Sequence, residues 1–281
     1  MTMINKNLNS TDYETFINVI RKRRSVRRFE KGRSISRQVL ERIAEAGRWA
    51  PSGANVQPWD FIVVEDPEMR DRVVEVFLRQ ADRLKKYAKG FPSVYKSYLN
   101  NTVAIFIVLG DRRWNINFPH GVTPESEADY QQNNENIFYC SIGAAIQNIQ
   151  LAVTANGLTS AWLSGGGEQQ TNDELSELLG YPPFLRAYGT IPIGFPAKDV
   201  SSRYRRPLQQ VVHWNRYEAE KFRTDEQVQF YVDSLRPFAM YRNKTELSEW
   251  EDFEEKLGEW QEAFTTDRTN PSGKLPKLLP P

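Results

Sequence analysis

The sequence is poor in the side chains that most often carry covalent or metal chemistry. It has one cysteine and two histidines among 281 residues. A single cysteine, Cys140, excludes an internal disulfide and a dithiol redox couple, and its apolar neighbours predict a core position. His120 and His213 lack a metal-ligand spacing such as H-E-x-x-H, so we expect no metal site. Any redox chemistry must therefore come from a bound cofactor.

The chain also lacks an excess of charge and a long apolar run. Its 37 basic and 36 acidic residues leave a net charge of +1, which gives no general attraction to nucleic acid or to an anionic membrane. The longest apolar run, residues 103–109, is far shorter than the ~20 residues that cross a bilayer, and the polar N-terminal region has no signal-peptide pattern. We therefore expect a cytoplasmic protein with no nucleic-acid or membrane partner.

Apolar periodicity predicts helices that alternate with short buried strands. Helices are expected to begin at residues 11 and 67 and to cover 36–47, 136–156 and 171–180. Strands are expected over 61–64, 102–109, 159–163 and 186–193, and residues 111–130 are expected to form a long loop. This alternation predicts an α/β class, a sandwich of sheet and helices.

The composition changes after Pro207. Residues 214–281 carry dispersed aromatic side chains and end in a polar, proline-rich stretch. We predict an N-terminal tail over residues 1–12, one domain over 13–213, and a helical C-terminal extension with a tail over 214–281.

A basic segment, R-K-R-R-S-V-R-R at residues 21–28, holds six cations in eight positions. One interpretation is an exposed helix end, where cations interact favourably with the helix dipole. The other is a cluster of guanidinium groups that binds a phosphate ester. The segment by itself leaves both interpretations open.

Three further segments are candidates for ligand contact, although each could be an ordinary loop. P-S-G-A-N-V-Q-P-W at residues 51–59 lies between a predicted helix and a predicted strand. S-G-G-G at residues 164–167 follows a strand but lacks the G-x-G-x-x-G spacing of a dinucleotide-binding fold. S-R-Y-R-R-P-L at residues 202–208 adds a second basic cluster.

Together these segments resemble the nitroreductase family of FMN enzymes. The family elements R-x-S-x-R/K, P-S-x-x-N-x-Q-P-W and G-L-x-x-x-W-L-x-G match residues 23–27, 51–59 and 157–165. The resemblance covers about residues 13–213. It implies a nitroreductase-like fold, with a central, mostly antiparallel sheet flanked by helices, and a homodimer with FMN at the subunit interface.

The resemblance also implies a role for each segment. Arg23 and Ser25 would bind the FMN phosphate with Arg203 and Arg205, and Arg27 would lie near the flavin N1 and C2 carbonyl. The 51–57 loop would contact the flavin of the opposite subunit, and the 163–166 backbone would lie beside the isoalloxazine. The full cofactor-binding set implied is Arg23, Arg24, Ser25, Arg27, Pro51, Ser52, Gly53, Asn55, Gln57, Leu163, Ser164, Gly165, Gly166, Arg203 and Arg205.

The activity implied by the resemblance is that of an FMN-dependent oxidoreductase. NAD(P)H would pass a hydride to the flavin, and an electron-poor small molecule such as a nitroaromatic or a quinone would then take the electrons. No side chain is expected to act as a catalytic nucleophile. Trp114, Phe118 and His120 are candidates for substrate contact, with ordinary loop packing as the alternative.

Two other functions stay open. One is a reductive dehalogenase, because the R-R-S-V-R element at residues 23–27 is shared with the iodotyrosine deiodinase branch. Ala81 and Lys85 align with the Glu and Tyr that hold an amino-acid zwitterion in that branch, so halotyrosine is not the expected substrate. The other is a flavin-binding redox sensor without turnover.

Overall fold

A computed structural model describes residues 11–87, 95–114, 123–199, 205 and 208–230 of the chain. The chain divides into two compact units, Met1–Ser202 and Arg203–Pro281. The domain limits expected from composition, at residues 12 and 213, stay a prediction.

The first unit consists of helices and strands in alternation. Its described helices are α1 (Thr11–Lys22), α2 (Arg37–Arg48), α3 (Pro67–Tyr87), α4 (Pro124–Ala155) and α5 (Gln169–Leu179). Its strands are β1 (Trp59–Val64), β2 (Ala104–Asp111), β3 (Thr159–Ser160) and β4 (Leu185–Gly194). Short 3-10 turns cover Gly53–Asn55, Ser97–Asn101 and Gly165–Gly167. The predicted α/β class is confirmed.

The four strands form one antiparallel sheet in the order β1-β2-β4-β3. Trp59 pairs with Gly110 at one end of the β1–β2 ladder, and Ala104 pairs with Ile193 between β2 and β4. All eight residues of β2 are buried, so both faces of the sheet are covered. A strand of this kind reads as a continuous apolar run, which is why residues 104–109 were predictable.

Helices cover the two faces of the sheet, and alternate residues of β2 point to each face. On one face Phe106 and Val108 pack with α2 and α4, whose buried residues include Ile43, Ile146 and Ile149. On the other face Ile105 and Ile107 pack with α3 and α5, whose buried residues include Val73, Phe77 and Leu175. The sheet thus lies between two apolar layers, as the resemblance implies.

Helix α4 begins at Pro124, so the expectation of a loop over all of residues 111–130 was wrong. The Thr123 hydroxyl accepts a hydrogen bond from the Ser126 N–H at 3.2 Å, and the Ser126 hydroxyl accepts one from the Thr123 N–H at 3.2 Å. Pro124 is favourable at the first helical position, where its missing N–H costs no hydrogen bond. The first turns of α4 are polar and show no apolar stripe, so periodicity placed the start too late.

The prediction of a core position for Cys140 was also wrong, because Cys140 is exposed. The buried face of α4 includes Phe138, Ile142, Ile146 and Ile149, and a residue two positions after Phe138 lies on the opposite side of a helix. By length and composition alone, Asn133–Ala155 could cross a membrane. Its buried face belongs to the core described above, and core helices pass the same test.

The described part of the second unit contains little regular structure. It has two 3-10 turns, Leu208–Gln210 and Ala219–Lys221, followed by the short helix α6 (Asp225–Phe230). The His213 and Tyr217 rings stack with centroids 4.2 Å apart, and His213 Nδ1 accepts a hydrogen bond from the Glu218 N–H at 3.0 Å. Most of the predicted C-terminal helical extension, residues 231–281, lies outside the described residues.

Candidate functional site

The basic segment divides between a helix end and a non-helical segment that bridges the edge of the sheet. Arg21 and Lys22 form the last turn of α1, where their charges suit the helix dipole. From residue 23 the chain leaves the helix, and Ser25 forms a parallel bridge with Ser160 of β3. The Val26 N–H donates to the Ser160 carbonyl at 2.9 Å. The remaining arginines therefore lie along the edge of the sheet, outside the helix.

The first of these arginines is attached to the core. Arg23 Nη1 donates to the side-chain oxygen of Gln150 at 3.4 Å, and Gln150 is only 3% exposed on α4. Arg24 Nη1 donates to the Arg23 carbonyl at 2.7 Å. Both arginines are half-buried, whereas Ser25 and Arg27 are exposed. The contacts orient the two guanidinium groups, as a site for an anion requires.

The Gly165–Gly167 turn is packed tightly against the sheet and α3. A Cβ atom on Gly165 would lie 2.5 Å from Gln80 Nε2, and one on Gly166 would lie 2.8 Å from Thr190 Oγ1. A Cβ on Gly167 would lie 2.8 Å from the Ala187 carbonyl oxygen. These close approaches explain three consecutive glycines without any special backbone angle.

Two side chains hold the turn from different sides. Gln80 Nε2 donates to the Gly165 carbonyl at 2.7 Å. Arg186 donates twice to the Gly167 carbonyl, through Nε at 2.9 Å and Nη2 at 2.6 Å. The backbone of the turn is consequently fixed before any ligand binds.

Strand β3 contacts the basic segment and leads into the glycine turn. Ser160 of β3 bridges Ser25, and Phe29 then bridges Pro196, just after β4. Leu163 bridges to Thr190 of β4, and its N–H and carbonyl both form 2.9 Å hydrogen bonds with Thr190. Arg27 therefore lies between the Ser25 bridge to β3 and the Phe29 bridge to Pro196, and Leu163 connects β3 to the glycine turn.

The 51–57 loop is held in an unusual backbone conformation. Ala54, Asn55 and Gln57 have positive φ angles of 48°, 56° and 49°. Such angles cost of order 1 kcal/mol or more for a non-glycine residue and are concentrated at binding sites. The Gln57 N–H donates to the Ser52 hydroxyl at 3.0 Å, which stabilises this conformation.

The loop also contacts helix α4, at a point distant from the basic segment. The Gly53 N–H donates to the Ser141 hydroxyl at 3.3 Å, while Arg23 contacts Gln150 of the same helix. Nine residues separate these contacts, which corresponds to about 13 Å along the helix axis. Within one chain the loop and Arg23 are therefore separate.

The loop lines a small cavity of about 120 Å³. A site for a cofactor or a drug-sized ligand usually measures ~300–1,000 Å³, so this cavity is too small to hold a flavin by itself. The other lining residues come from α4 and from the end of the segment after β2, and they are Trp114, Tyr130, Asn134, Ile137, Phe138 and Ser141.

The predicted site residues are not all described by the structure. Trp114 is 51% exposed and lines the cavity, whereas Phe118, His120 and Arg203 lie outside the described residues. Arg205 is exposed in the second unit, and its predicted partnership with Arg23 stays a prediction. Among the described residues, no group of three or more His, Cys, Asp or Glu side chains could hold a metal ion.

Sequence reasoning missed a buried lysine next to the glycine turn. Lys96 is 5% exposed, and its Nζ donates to Gln80 Oε1. Burial lowers the pKa of Lys96 to about 8; the Glu168 charge opposes this decrease and the Arg83 charge adds to it. No sequence signal marks Lys96, because a lysine between a helix and a strand is ordinarily solvated.

No sequence signal marks Tyr98 either, which lies two residues after Lys96. Burial raises the pKa of the Tyr98 hydroxyl, and the nearby charge of Arg27 opposes this increase. The ring packs against Phe29 with centroids 6.1 Å apart, so Tyr98 supports the segment that carries Arg27.

With this geometry, the chain is an α/β sandwich in which β3 contacts the basic segment and leads into the glycine turn. Comparison with known proteins shows that it belongs to the nitroreductase family, whose profile matches residues 20–195. An Archaeoglobus fulgidus protein with the provisional name NADH dehydrogenase/NAD(P)H nitroreductase is 31% identical over 191 residues, which cover 68% of this chain and 90% of that protein. The chain is accordingly a nitroreductase-family oxidoreductase.

Two further proteins are similar to the chain. Iodotyrosine deiodinase 1 of Mus musculus is 27% identical over 213 residues, which cover 71% of this chain and 69% of that protein. The solved structure of the NADPH:FMN oxidoreductase from Vibrio harveyi, complexed with NAD⁺, shares the fold with a TM-score of 0.56. Its sequence is 22% identical, and the match covers 80% of this chain and 86% of that one.

Proposed function

We propose that the protein is an FMN-dependent oxidoreductase that takes electrons from NAD(P)H and delivers them to an electron-poor acceptor such as a nitroaromatic or a quinone. One observation carries this proposal. In a chain of the nitroreductase family, oriented arginines lie beside the edge strand β3, and β3 leads into a rigid glycine turn. FMN presents a phosphate dianion at one end and a flat ring with hydrogen-bond acceptors at the other.

The donors at this edge fit such a ligand. Guanidinium groups bind phosphate oxygens through paired N–H donors, and the exposed Ser25 hydroxyl adds another donor. The glycine turn offers backbone N–H groups, which suit the carbonyl and imine acceptors of a flavin ring. Because Gln80 and Arg186 already fix the turn, little conformational entropy is lost on binding.

In the proposed complex Arg23 and Ser25 hold the phosphate, with Arg24 alongside. Arg27 would hold the pyrimidine end of the ring, where a cation would favour the electron-rich form of the bound group. When bound, FMN supplies the hydride and electron transfer, so no side chain needs to act as a nucleophile.

We further propose that the protein acts as a homodimer in the cytoplasm. One face of α4 is open in the single chain: Tyr139 is 47% exposed, Cys140 is exposed, and a Cβ on Gly143 would meet nothing within 4 Å. A second copy packed on this face would bring its own 51–57 loop, with Pro51, Ser52, Gly53, Asn55 and Gln57, to the flavin. The small cavity and the distance between the loop and Arg23 support such sharing.

The proposal is tested by purifying the protein with FMN and recording its absorbance spectrum. We expect a yellow protein that is bleached by anaerobic titration with NADH or NADPH and reoxidised by a nitroaromatic or a quinone. A protein that stays colourless after FMN is added would refute the proposed cofactor. Bleaching by NAD(P)H with no response to any acceptor would indicate a redox sensor instead.

A reductive dehalogenase is the second candidate, because several relatives are iodotyrosine deiodinases. Ala81 is buried, and Lys85 is exposed and pairs with Asp82 at 2.7 Å. Neither side chain offers a carboxylate or a phenol for an amino-acid substrate. We therefore expect no iodide release from iodotyrosine, and iodide release in the same acceptor screen would favour the second candidate.

A further inference from the structure

We propose that Lys96 is a positioning residue, which acts through Gln80 to set the direction in which the glycine turn presents its backbone N–H to the flavin ring. This inference rests on the proposed flavin site. Lys96 touches neither the basic segment nor the 51–57 loop among the contacts described above, and its effect passes through one intervening side chain.

A continuous chain of hydrogen bonds connects Lys96 to the turn. Lys96 Nζ donates to Gln80 Oε1, and Gln80 Nε2 donates to the Gly165 carbonyl at 2.7 Å and to Glu168 Oε2 at 2.9 Å. Gln80 is 1% exposed and Lys96 is 5% exposed. Water therefore competes little for Lys96 and Gln80, and the bonds from Lys96 to Gln80 and from Gln80 to Gly165 are stronger than they would be at the surface.

The lysine charge decides which way the Gln80 amide points. An ammonium group can only donate, so the amide oxygen must face Lys96 and the NH₂ group must face the turn. The reversed amide would place its NH₂ against the ammonium and its oxygen against the Gly165 carbonyl and the Glu168 carboxylate. Every contact of the reversed orientation would be repulsive, so Lys96 permits one orientation of the amide.

The orientation of the amide in turn fixes a peptide plane. Gln80 holds the Gly165 carbonyl, and the peptide between Gly165 and Gly166 is planar and trans. The Gly166 N–H must then point away from Gln80. A Cβ on Gly165 would lie 2.5 Å from Gln80 Nε2, so the plane has little room to rotate. Gly165 and Gly166 belong to the segment proposed to lie beside the isoalloxazine.

The surroundings of Lys96 make this control sensitive to pH. Glu168 favours the ammonium form, Arg83 disfavours it, and burial sets the pKa of Lys96 at about 8. Arg83 itself pairs with Glu174 at 3.0 Å and with Glu168 at 3.6 Å, and the Phe77 ring lies 5.4 Å from Lys96 Nζ. Above pH 8 the neutral amine can accept as well as donate, so the constraint on the Gln80 amide weakens.

The test follows the Gly166 amide by NMR in the full chain without added flavin, from pH 6.5 to 9.5. In the wild-type protein we expect its resonance to move with a midpoint near pH 8. Lys96→Met should shift the resonance at pH 7 and abolish the titration. Lys96→Arg, which can only donate, should keep the low-pH position throughout. Lys85→Met, on the exposed side of α3, is the matched control and should titrate like the wild type.

Gln80→Met keeps the side-chain length but removes the amide, so it should abolish the titration even with Lys96 present. If Lys96→Met does not fold, Gln80→Met tests whether Lys96 acts on Gly166 through Gln80. The proposal is overturned if the Gly166 titration survives in Lys96→Met or in Gln80→Met, or if the wild-type resonance does not titrate.

Binding of FMN to the same proteins separates this proposal from the proposed function. Loss of one correctly placed backbone donor should weaken binding by roughly three- to tenfold in Lys96→Met, and Lys96→Arg should restore most of the affinity. If the wild-type protein binds no FMN, the proposed cofactor fails, while the NMR titration still decides whether Lys96 positions the turn. Equal FMN affinity in Lys96→Met and the wild type would exclude the effect of the turn on the flavin.

Discussion

Replacing Arg23 by alanine removes one cation from the proposed phosphate site. Arg23 is half-buried and oriented by Gln150, so it loses little side-chain entropy when it binds a phosphate. A hydrogen bond to a charged group contributes ~1.5–3 kcal/mol. Since 1.4 kcal/mol corresponds to a factor of ten, Arg23→Ala should raise the Kd for FMN by roughly 10- to 150-fold.

The assay is the quenching of FMN fluorescence on titration with apoprotein, at two salt concentrations. Arg21→Ala is the matched control, because Arg21 lies in the exposed last turn of α1. The affinity of the Arg21→Ala protein for FMN should match that of the wild type within about twofold. The Arg23 effect should decrease as salt is raised, since screening weakens partly exposed charge pairs. Unchanged FMN affinity in Arg23→Ala, or an equal loss in Arg21→Ala, would remove Arg23 from the site.

Two further changes test the 51–57 loop and the open face of α4. In Gly53→Ala the new methyl carbon would lie 2.1 Å from Ile137 Cγ2, so the free energy of unfolding in urea should fall by about 1–3 kcal/mol; a value equal to the wild type would contradict the described packing. Gly143→Arg places a charge on the face proposed for the partner subunit, so sedimentation should show a monomer and FMN binding should weaken. A stable dimer with full FMN affinity would refute the proposed interface.

Much of the fold could be predicted because its signals are local. The buried run at residues 104–109 marks a strand covered on both faces, and Pro67 marks the first residue of α3. The start of α4 could not be predicted in this way, because its first turns are polar. That helix begins where the side chains of Thr123 and Ser126 accept hydrogen bonds from each other's backbone N–H groups. No apolar stripe marks this start in the sequence.

The candidate site, like the fold, could be predicted only in part. The sequence by itself determined which residue types were available: guanidinium groups at 23–27, a polar loop at 51–57 and glycines at 165–167. It also determined, through their resemblance to one family, what ligand to expect there. It left open whether the basic segment was a helix end, and the structure shows that the segment serves both as the end of α1 and as an extended edge.

Only the tertiary structure decided which of these residues meet. Ser25 bridges Ser160, and Lys96 is connected to Gly165 by hydrogen bonds through Gln80. These residues are far apart in the sequence, so no local pattern predicts their contacts. The burial that lowers the pKa of Lys96 comes from packing between α3, the 95–101 segment and the glycine turn. Local propensities and turn chemistry depend on neighbouring residues, whereas burial and pairing depend on the whole fold.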